Sequence, residues 1–252
     1  MFDLVIDGGI ARLTLARPQA RNAIPLTGWN ALAAAIAEVA HSSARVLIVR
    51  SSEPASFCAG ADIHDFASLS DNPAIRMTFR TEMRAALDRL AELPIPTIAA
   101  IDGGCFGAGV ALALACDIRL AGQGARFSVP PARLGISYPQ EDMTRLVRLI
   151  GPGQAARMLF GAATIDAAEA ERIGFAEQAV DLADAAATKL ARSIAASAPS
   201  SIRLLKQAIA RAAGGVGSSE LADAAFDDSF ASSDFAEGLA AFRARRAPEF
   251  GQ

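Results

Sequence analysis

The chain is short of the residues that build metal and redox sites. Its 252 residues include three cysteines, two histidines, one tyrosine and one tryptophan. Cys58, Cys105 and Cys116 form no Cys-x-x-Cys pair, and no histidine stands near them at ligand spacing. That excludes a structural zinc site, and the three thiols supply no disulfide framework. Charge of one sign is lacking too. Twenty-four basic against 27 acidic residues leave a net charge of −3, so no basic face is expected and no nucleic-acid partner with it. The opening "MFDLVIDGG" has neither a basic segment nor a cleavage-type apolar run. The expectation is a reduced, soluble, cytoplasmic protein. No fixed-period repeat and no Pro/Ser-rich linker divides the chain.

Long uninterrupted apolar runs are also missing. The strongest candidate is "AAIDGGCFGAGVALALACDI", residues 99–118. Asp102 interrupts it and Asp117 closes it, leaving a clean run shorter than the roughly 20 residues a membrane span needs. A buried segment is expected, and no membrane partner. Its glycines, Gly104, Gly107 and Gly109, read G-x-x-G-x-G rather than the dinucleotide order G-x-G-x-x-G. No acidic residue ends a second strand about 20 residues on, so a nicotinamide-dependent oxidoreductase lacks its fingerprint.

What is present is a pattern of strands alternating with helices, followed by helices alone. "FDLVIDGGIARLTLAR" reads as a hairpin turning at Gly8-Gly9. In "PLTGWNALAAAIAEVA" the residues Leu26, Trp29, Leu32, Ile36 and Val39 recur at helical spacing, with Pro25 suited to the first turn. "ARVLIVRSS" and "TIAAI" read as buried strands, with a long amphipathic helix, "NPAIRMTFRTEMRAALDRLAEL", between them. "PQEDMTRLVRLIG" and "GQAARMLFG" predict two helices, and "FAEQAV" one late strand. Four helical patterns follow from about Asp181, the last opened by a capping pair, Asp234 with Glu237. The order predicts an α/β core with a C-terminal helical region.

Two glycine-bearing turns carry the chemistry. The second half of residues 99–118 reads as strand, tight turn, then helix. The first N–H groups of a helix have no internal partner, and small residues let another molecule approach them. "FCAGAD" places a similar turn after another buried strand. Two turns of this kind could aim one N–H each at a common point, which is how an oxyanion is held.

With both turns in hand, the chain resembles the crotonase (enoyl-CoA hydratase/isomerase) superfamily. The resemblance runs through "LARPQARNAI", "SFCAGADI", "AAIDGGCFGAGVALALACDIRLAG", "LGISY", "ERIGFAEQAV" and "SSDFAEGLAAFRARRAPEF". It implies a spiral of ββα units over residues 1–195. A helical region over residues 196–252 would serve trimerisation and closure of the coenzyme A site. It further implies an acyl-CoA thioester as ligand, coenzyme A as part of the substrate rather than a resident cofactor, no metal, and a homotrimer or dimer of trimers. Backbone N–H groups of Ala61 and Ala108 would form the oxyanion hole. Ala20, Arg21, Ala59 and Ile63 would line the coenzyme A side, and Phe242 and Arg245 would reach it from the C-terminus, in some relatives from a neighbouring subunit.

The same comparison marks departures. Relatives that add water use two glutamates, and the matching positions here hold Ala111 and Pro131. A glycine pair common after the second turn is replaced by Glu141-Asp142. Water addition needs one group to activate water and one to protonate carbon, so the expected reaction is decarboxylation or isomerisation. Tyr138 and Glu141 are the proton-handling candidates. The other reading is a binding protein that keeps the pocket without the chemistry. His41 and His64 are expected at the surface, Cys58 and Cys105 as buried small residues, and Asp117 bonding backbone after the buried helix.

Overall fold

The computed structural model describes residues 1–251. β1 (Phe2–Asp7) and β2 (Ile10–Leu15) form the antiparallel hairpin, and α1 (Gly28–Ala40) follows. Pro25 lies before that helix, where its carbonyl accepts from Gly28 N in a turn. This corrects the expectation that it sits in the first turn. β3 (Val46–Ser51) and β4 (Ser56–Cys58) lead into α2 (Phe66–Asp71) and α3 (Pro73–Ala91). β5 (Thr97–Ile101), β6 (Gly104–Phe106) and α4 (Ala108–Leu114) make the next unit. β7 (Ile118–Gly122), β8 (Arg126–Ser128) and α5 (Gln140–Phe160) make the third. α5 is two helices in one, broken at Gly151, whose φ of 75° no helix contains.

Each of these three units sends its first strand to one sheet and its second to another. The large sheet has the order β1-β2-β3-β5-β7-β10, with β10 (Gln178–Val180) at its edge. The small sheet runs β4-β6-β8-β9, with β9 (Ile165–Asp166) antiparallel to β8. All other pairings beyond the hairpin are parallel. This is the expected spiral of ββα units.

Parallel strands covered on both faces read as continuous apolar runs, and β3 and β5 do so because each feeds two cores. Leu47, Val49, Ala99 and Ile101 point into the core shared with Trp29, Phe57 and Phe127. Val46, Ile48, Ile98 and Ala100 point the other way. There they meet α7 (Ala183–Ala195), which follows α6 (Ala167–Arg172), through Ala183, Ala187 and Ala191. Three fully buried alanines at four-residue spacing let this helix lie close on the sheet.

α8 (Pro199–Ala213), α9 (Glu220–Ser229) and α10 (Ser233–Ala244) complete the chain. Asp234 and Glu237 do not form the expected cap of α10. Ser232 caps it instead, accepting from Phe235 N at 3.1 Å. Asp234 reaches across to Ser200 N at 3.0 Å, and Glu237 pairs with Arg246 and accepts from Glu249 N. Among the described residues no helix is long and apolar enough to cross a membrane.

Asp102, the charge inside the apolar stretch, caps α7. Its two carboxylate oxygens accept from Ala183 N at 2.9 Å and Asp184 N at 3.1 Å. Gly122 makes the room, since a Cβ there would lie 1.9 Å from Asp102 Oδ1. Replacing Asp102 by alanine removes that cap. The expected cost is about 1 kcal/mol, or a fall of about 2–4 °C in the midpoint of thermal unfolding. An unchanged midpoint would show that α7 is held by its alanine face alone.

Candidate active site

Leaving β4, the chain makes a turn through residues 59–62 against the segment 20–24. Ala59 N donates to Arg21 O at 3.0 Å, and Ile24 N and Asp62 N complete a bridge with Gly60 O and Ile24 O at 2.8 and 2.9 Å. Gly60 N turns to Cys58 Sγ at 3.4 Å. Ala61 N is the one amide of the turn with no partner among the described residues.

Two side chains fix this turn. Asn22 sits in the left-handed region at φ 58°, a conformation asparagine tolerates better than most residues. Its amide donates to Ser51 Oγ at 2.7 Å and to the carbonyls of Ser56 and Phe57 at 3.2 Å each, and its Oδ1 accepts from Arg17 N. Arg17 in turn donates to Ala23 O at 2.8 Å and to Asp62 Oδ2 at 2.7 Å. That guanidinium holds the Asp62 carboxyl below the ordinary carboxylate range.

The second turn ends β6. Gly107, at φ 50° and ψ −116°, precedes Ala108, the first residue of α4. Gly107 N donates to Ser128 O at 3.0 Å. Its carbonyl accepts from Val110 N at 3.0 Å, Ala111 N at 3.3 Å and the Tyr138 hydroxyl at 3.1 Å. This carbonyl belongs to the same peptide unit as Ala108 N–H, so three donors fix which way that N–H points. Ala108 N has no partner among the described residues.

The two turns touch backbone to backbone. A Cβ on Gly60 would lie 2.8 Å from Phe106 O and 3.2 Å from Ala108 N, and one on Gly109 would lie 2.5 Å from Cys58 O. Ala61 and Ala108 therefore stand side by side, each with an unpaired N–H, on the wall of one cavity of about 730 Å³. Ala20, Arg21, Ala59 and Ile63 line the same cavity. So do Ala111, Pro131 and His64, the last exposed at the surface. His41 is also exposed, bonded to Ala37 O. Asp117 bonds Thr97 N, Thr97 Oγ1 and Lys206.

Two groups lie elsewhere than the cavity wall. Phe242, 82 % exposed, and Arg245, at the C-cap of α10, do not line it. Glu141 points outward beside Arg84, with its side chain 61 % exposed. The neighbouring Asp142 lines the cavity instead, with its side chain 1 % exposed. The signal for it was in the sequence, because Asp142, Leu146 and Ile150 follow one buried stripe of α5 at four-residue spacing.

Tyr138 is half-buried at the cavity wall. Desolvation pushes its phenol well above the ordinary value, and its hydroxyl donates to Gly107 O. Cys58 is buried and its thiol is pushed up to about 12, and burial raises Cys105 likewise. Neither is an activated nucleophile.

The comparisons with known proteins agree with this architecture. The model of the family described as enoyl-CoA hydratase/isomerase matches residues 5–252. The enoyl-CoA hydratase domain-containing protein 2, mitochondrial, of Mus musculus is 34 % identical over 254 residues, covering 96 % of this chain and 84 % of that protein. The methylglutaconyl-CoA hydratase, mitochondrial, of Homo sapiens is 33 % identical over 251 residues, covering 96 % and 74 %. The crystal structure of an enoyl-CoA hydratase/carnithine racemase from Magnetospirillum magneticum superposes with a TM-score of 0.94 at 36 % identity, covering 99 % of this chain and 95 % of that one. The chain belongs to the enoyl-CoA hydratase/isomerase family.

Proposed function

We propose that this protein binds an acyl-CoA thioester and stabilises the enolate formed from it. The observation that carries the reading is the pair of unpartnered amides, Ala61 N–H and Ala108 N–H, adjacent on one cavity wall. A thioester carbonyl placed between them gains negative charge as its α-carbon loses a proton. Donors already aimed at that oxygen stabilise the charge without reorganising, each by about 3 kcal/mol. The family acts on acyl-CoA thioesters, and the apolar walls, with Phe79, Met83 and Phe106, suit an acyl chain. Arg21 at the cavity supports a phosphate contact on the coenzyme A side.

The relatives named above are hydratases, yet this chain has Ala111 and Pro131 on the cavity wall where the resemblance puts the two glutamates of water addition. Neither side chain can move a proton. A reaction that needs one proton-handling group, such as isomerisation or decarboxylation, fits better than hydration. The same two residues favour a second reading, an acyl-CoA-binding protein without chemistry.

Phe242 and Arg245 would contact coenzyme A on a neighbouring copy in a homotrimer or dimer of trimers. Exposed Ile209, Leu221, Phe226 and Phe242 on the C-terminal helices give such an assembly an apolar surface to bury. Coenzyme A arrives with the substrate.

A saturated acyl-CoA at about 100 times its dissociation constant should stabilise the fold by about 2.7 kcal/mol, read as a rise in melting temperature. In heavy water the same ligand should gain deuterium at its α-carbon, followed by mass spectrometry. Tyr138→Phe, which removes one of three bonds to Gly107 O, should slow that exchange about tenfold and leave affinity nearly unchanged. Stabilisation without exchange selects the binding protein, and absence of both discards the acyl-CoA assignment.

A further inference from the structure

Asp142 has a fully buried side chain with half of its carboxylate unsatisfied. It stands in the first turn of α5, one helical turn beyond Tyr138, and lines the cavity. Its Oδ1 lies 3.4 Å from Arg84 Nη1 and 3.3 Å from Arg145 Nη1. Its Oδ2 is buried and has no hydrogen-bond partner among the described residues. An unpaired buried carboxylate oxygen costs stability. The two arginines are not Asp142's alone. Both also hold Asp88 of α3, Arg145 at 2.9 Å and Arg84 more closely still.

The charged and titratable groups facing Asp142 are therefore Arg84 and Asp88 from α3, and Glu141, Arg145 and Tyr138 from its own segment. Burial raises its proton affinity against the pull of the two arginines. A carboxylate of raised affinity on the wall that also carries the two amides has what removal of an α-proton demands of a base.

We propose that Asp142 is the acid/base of this site and moves the α-proton of the bound thioester. This rests on the acyl-CoA reading above. Oδ2 takes the proton from the α-carbon. The C–H electron pair becomes the new bond between the α-carbon and the carbonyl carbon. The carbonyl π pair moves onto oxygen, which sits between Ala61 N–H and Ala108 N–H. Asp142, now neutral, returns the proton to the same carbon. With a β,γ-unsaturated acyl group it returns the proton to the γ-carbon instead, and the double bond shifts by one position. No oxidant, water or leaving group takes part. The substrate class is an acyl-CoA with a removable α-hydrogen, and the product is its isomer.

The test compares Asp142→Asn, Glu141→Gln and the wild type in heavy water with a saturated acyl-CoA. Exchange is read by mass spectrometry and affinity by calorimetry. Asp142→Asn should still bind and should lose exchange by about 10²–10⁴-fold. The wild-type rate should rise with pH through an apparent pKa above the ordinary carboxylate value of about 4. Exchange in Asp142→Asn within a few fold of wild type overturns the proposal, as does a loss confined to Glu141→Gln. A wild type that binds acyl-CoA but exchanges with none fails the enolate reading itself, and the role of Asp142 with it. Should Asp142→Asn not fold, the wild-type pH profile decides, and a rate that stays flat from about pH 4 to pH 8 rules Asp142 out.

Discussion

Everything at this site depends on two stretches of backbone lying in contact. The turn after β4 and the start of α4 approach so closely that neither Gly60 nor Gly109 has space for a Cβ. Side chains there would separate the turns, and with them the two N–H groups. The arrangement is held from both sides. Arg17 and Asn22 tie the first turn to the segment 20–24 and to the end of β3. Tyr138 bonds the peptide that carries the second amide, and Ser128 bonds the peptide before it. The spiral supplies the geometry beneath, because β4 and β6 are parallel neighbours in the small sheet and both turns leave the same end of it.

Two carboxylates on the cavity wall are driven in opposite directions. Arg17, bonded directly to Asp62, holds that group ionised. Its contribution to stability is present above the unfolded carboxyl pKa and is lost as pH falls through the lower folded value. Burial dominates at Asp142 and raises its pKa. Its contribution is present below the unfolded value and is lost as pH rises through the folded one. One carboxylate thus serves as a fixed strut, and the other has the proton affinity of a group that exchanges protons. Separation of this kind between two acids lining one cavity is a mark of divided roles.

The strand and helix order was legible because burial leaves a period in the sequence. β3 and β5 read as continuous apolar runs, and α7 shows its alanines at four-residue spacing. Both glycine turns were legible from small residues after buried strands. Long-range polar pairing was not. Asp234 and Glu237 have capping spacing, but they bond Ser200 and Arg246 instead. Glu141 and Asp142 differ by one residue, about 100° around a helix. Only tracing the stripe back from Leu146 and Ile150 tells which of the two faces inward. Phe242 and Arg245 do not line the cavity of their own chain, and in some relatives the resemblance has these positions reaching coenzyme A from a neighbouring subunit.

The absence of a carboxylate at residues 111 and 131 and the burial of one at residue 142 are connected by space. Ala111 contributes a methyl group to the cavity wall, and the Tyr138 hydroxyl and Ala111 N meet on the same Gly107 carbonyl. Tyr138 is bonded to the carbonyl that precedes α4, and Asp142 follows it in the first turn of α5, on the same cavity. On the proposed reading the proton-handling group comes from α5 rather than α4, while the two unpartnered amides stay where the glycine turns put them. Stabilisation of the enolate and transfer of its proton are in this way assigned to separate parts of the chain, and the second can change without disturbing the first.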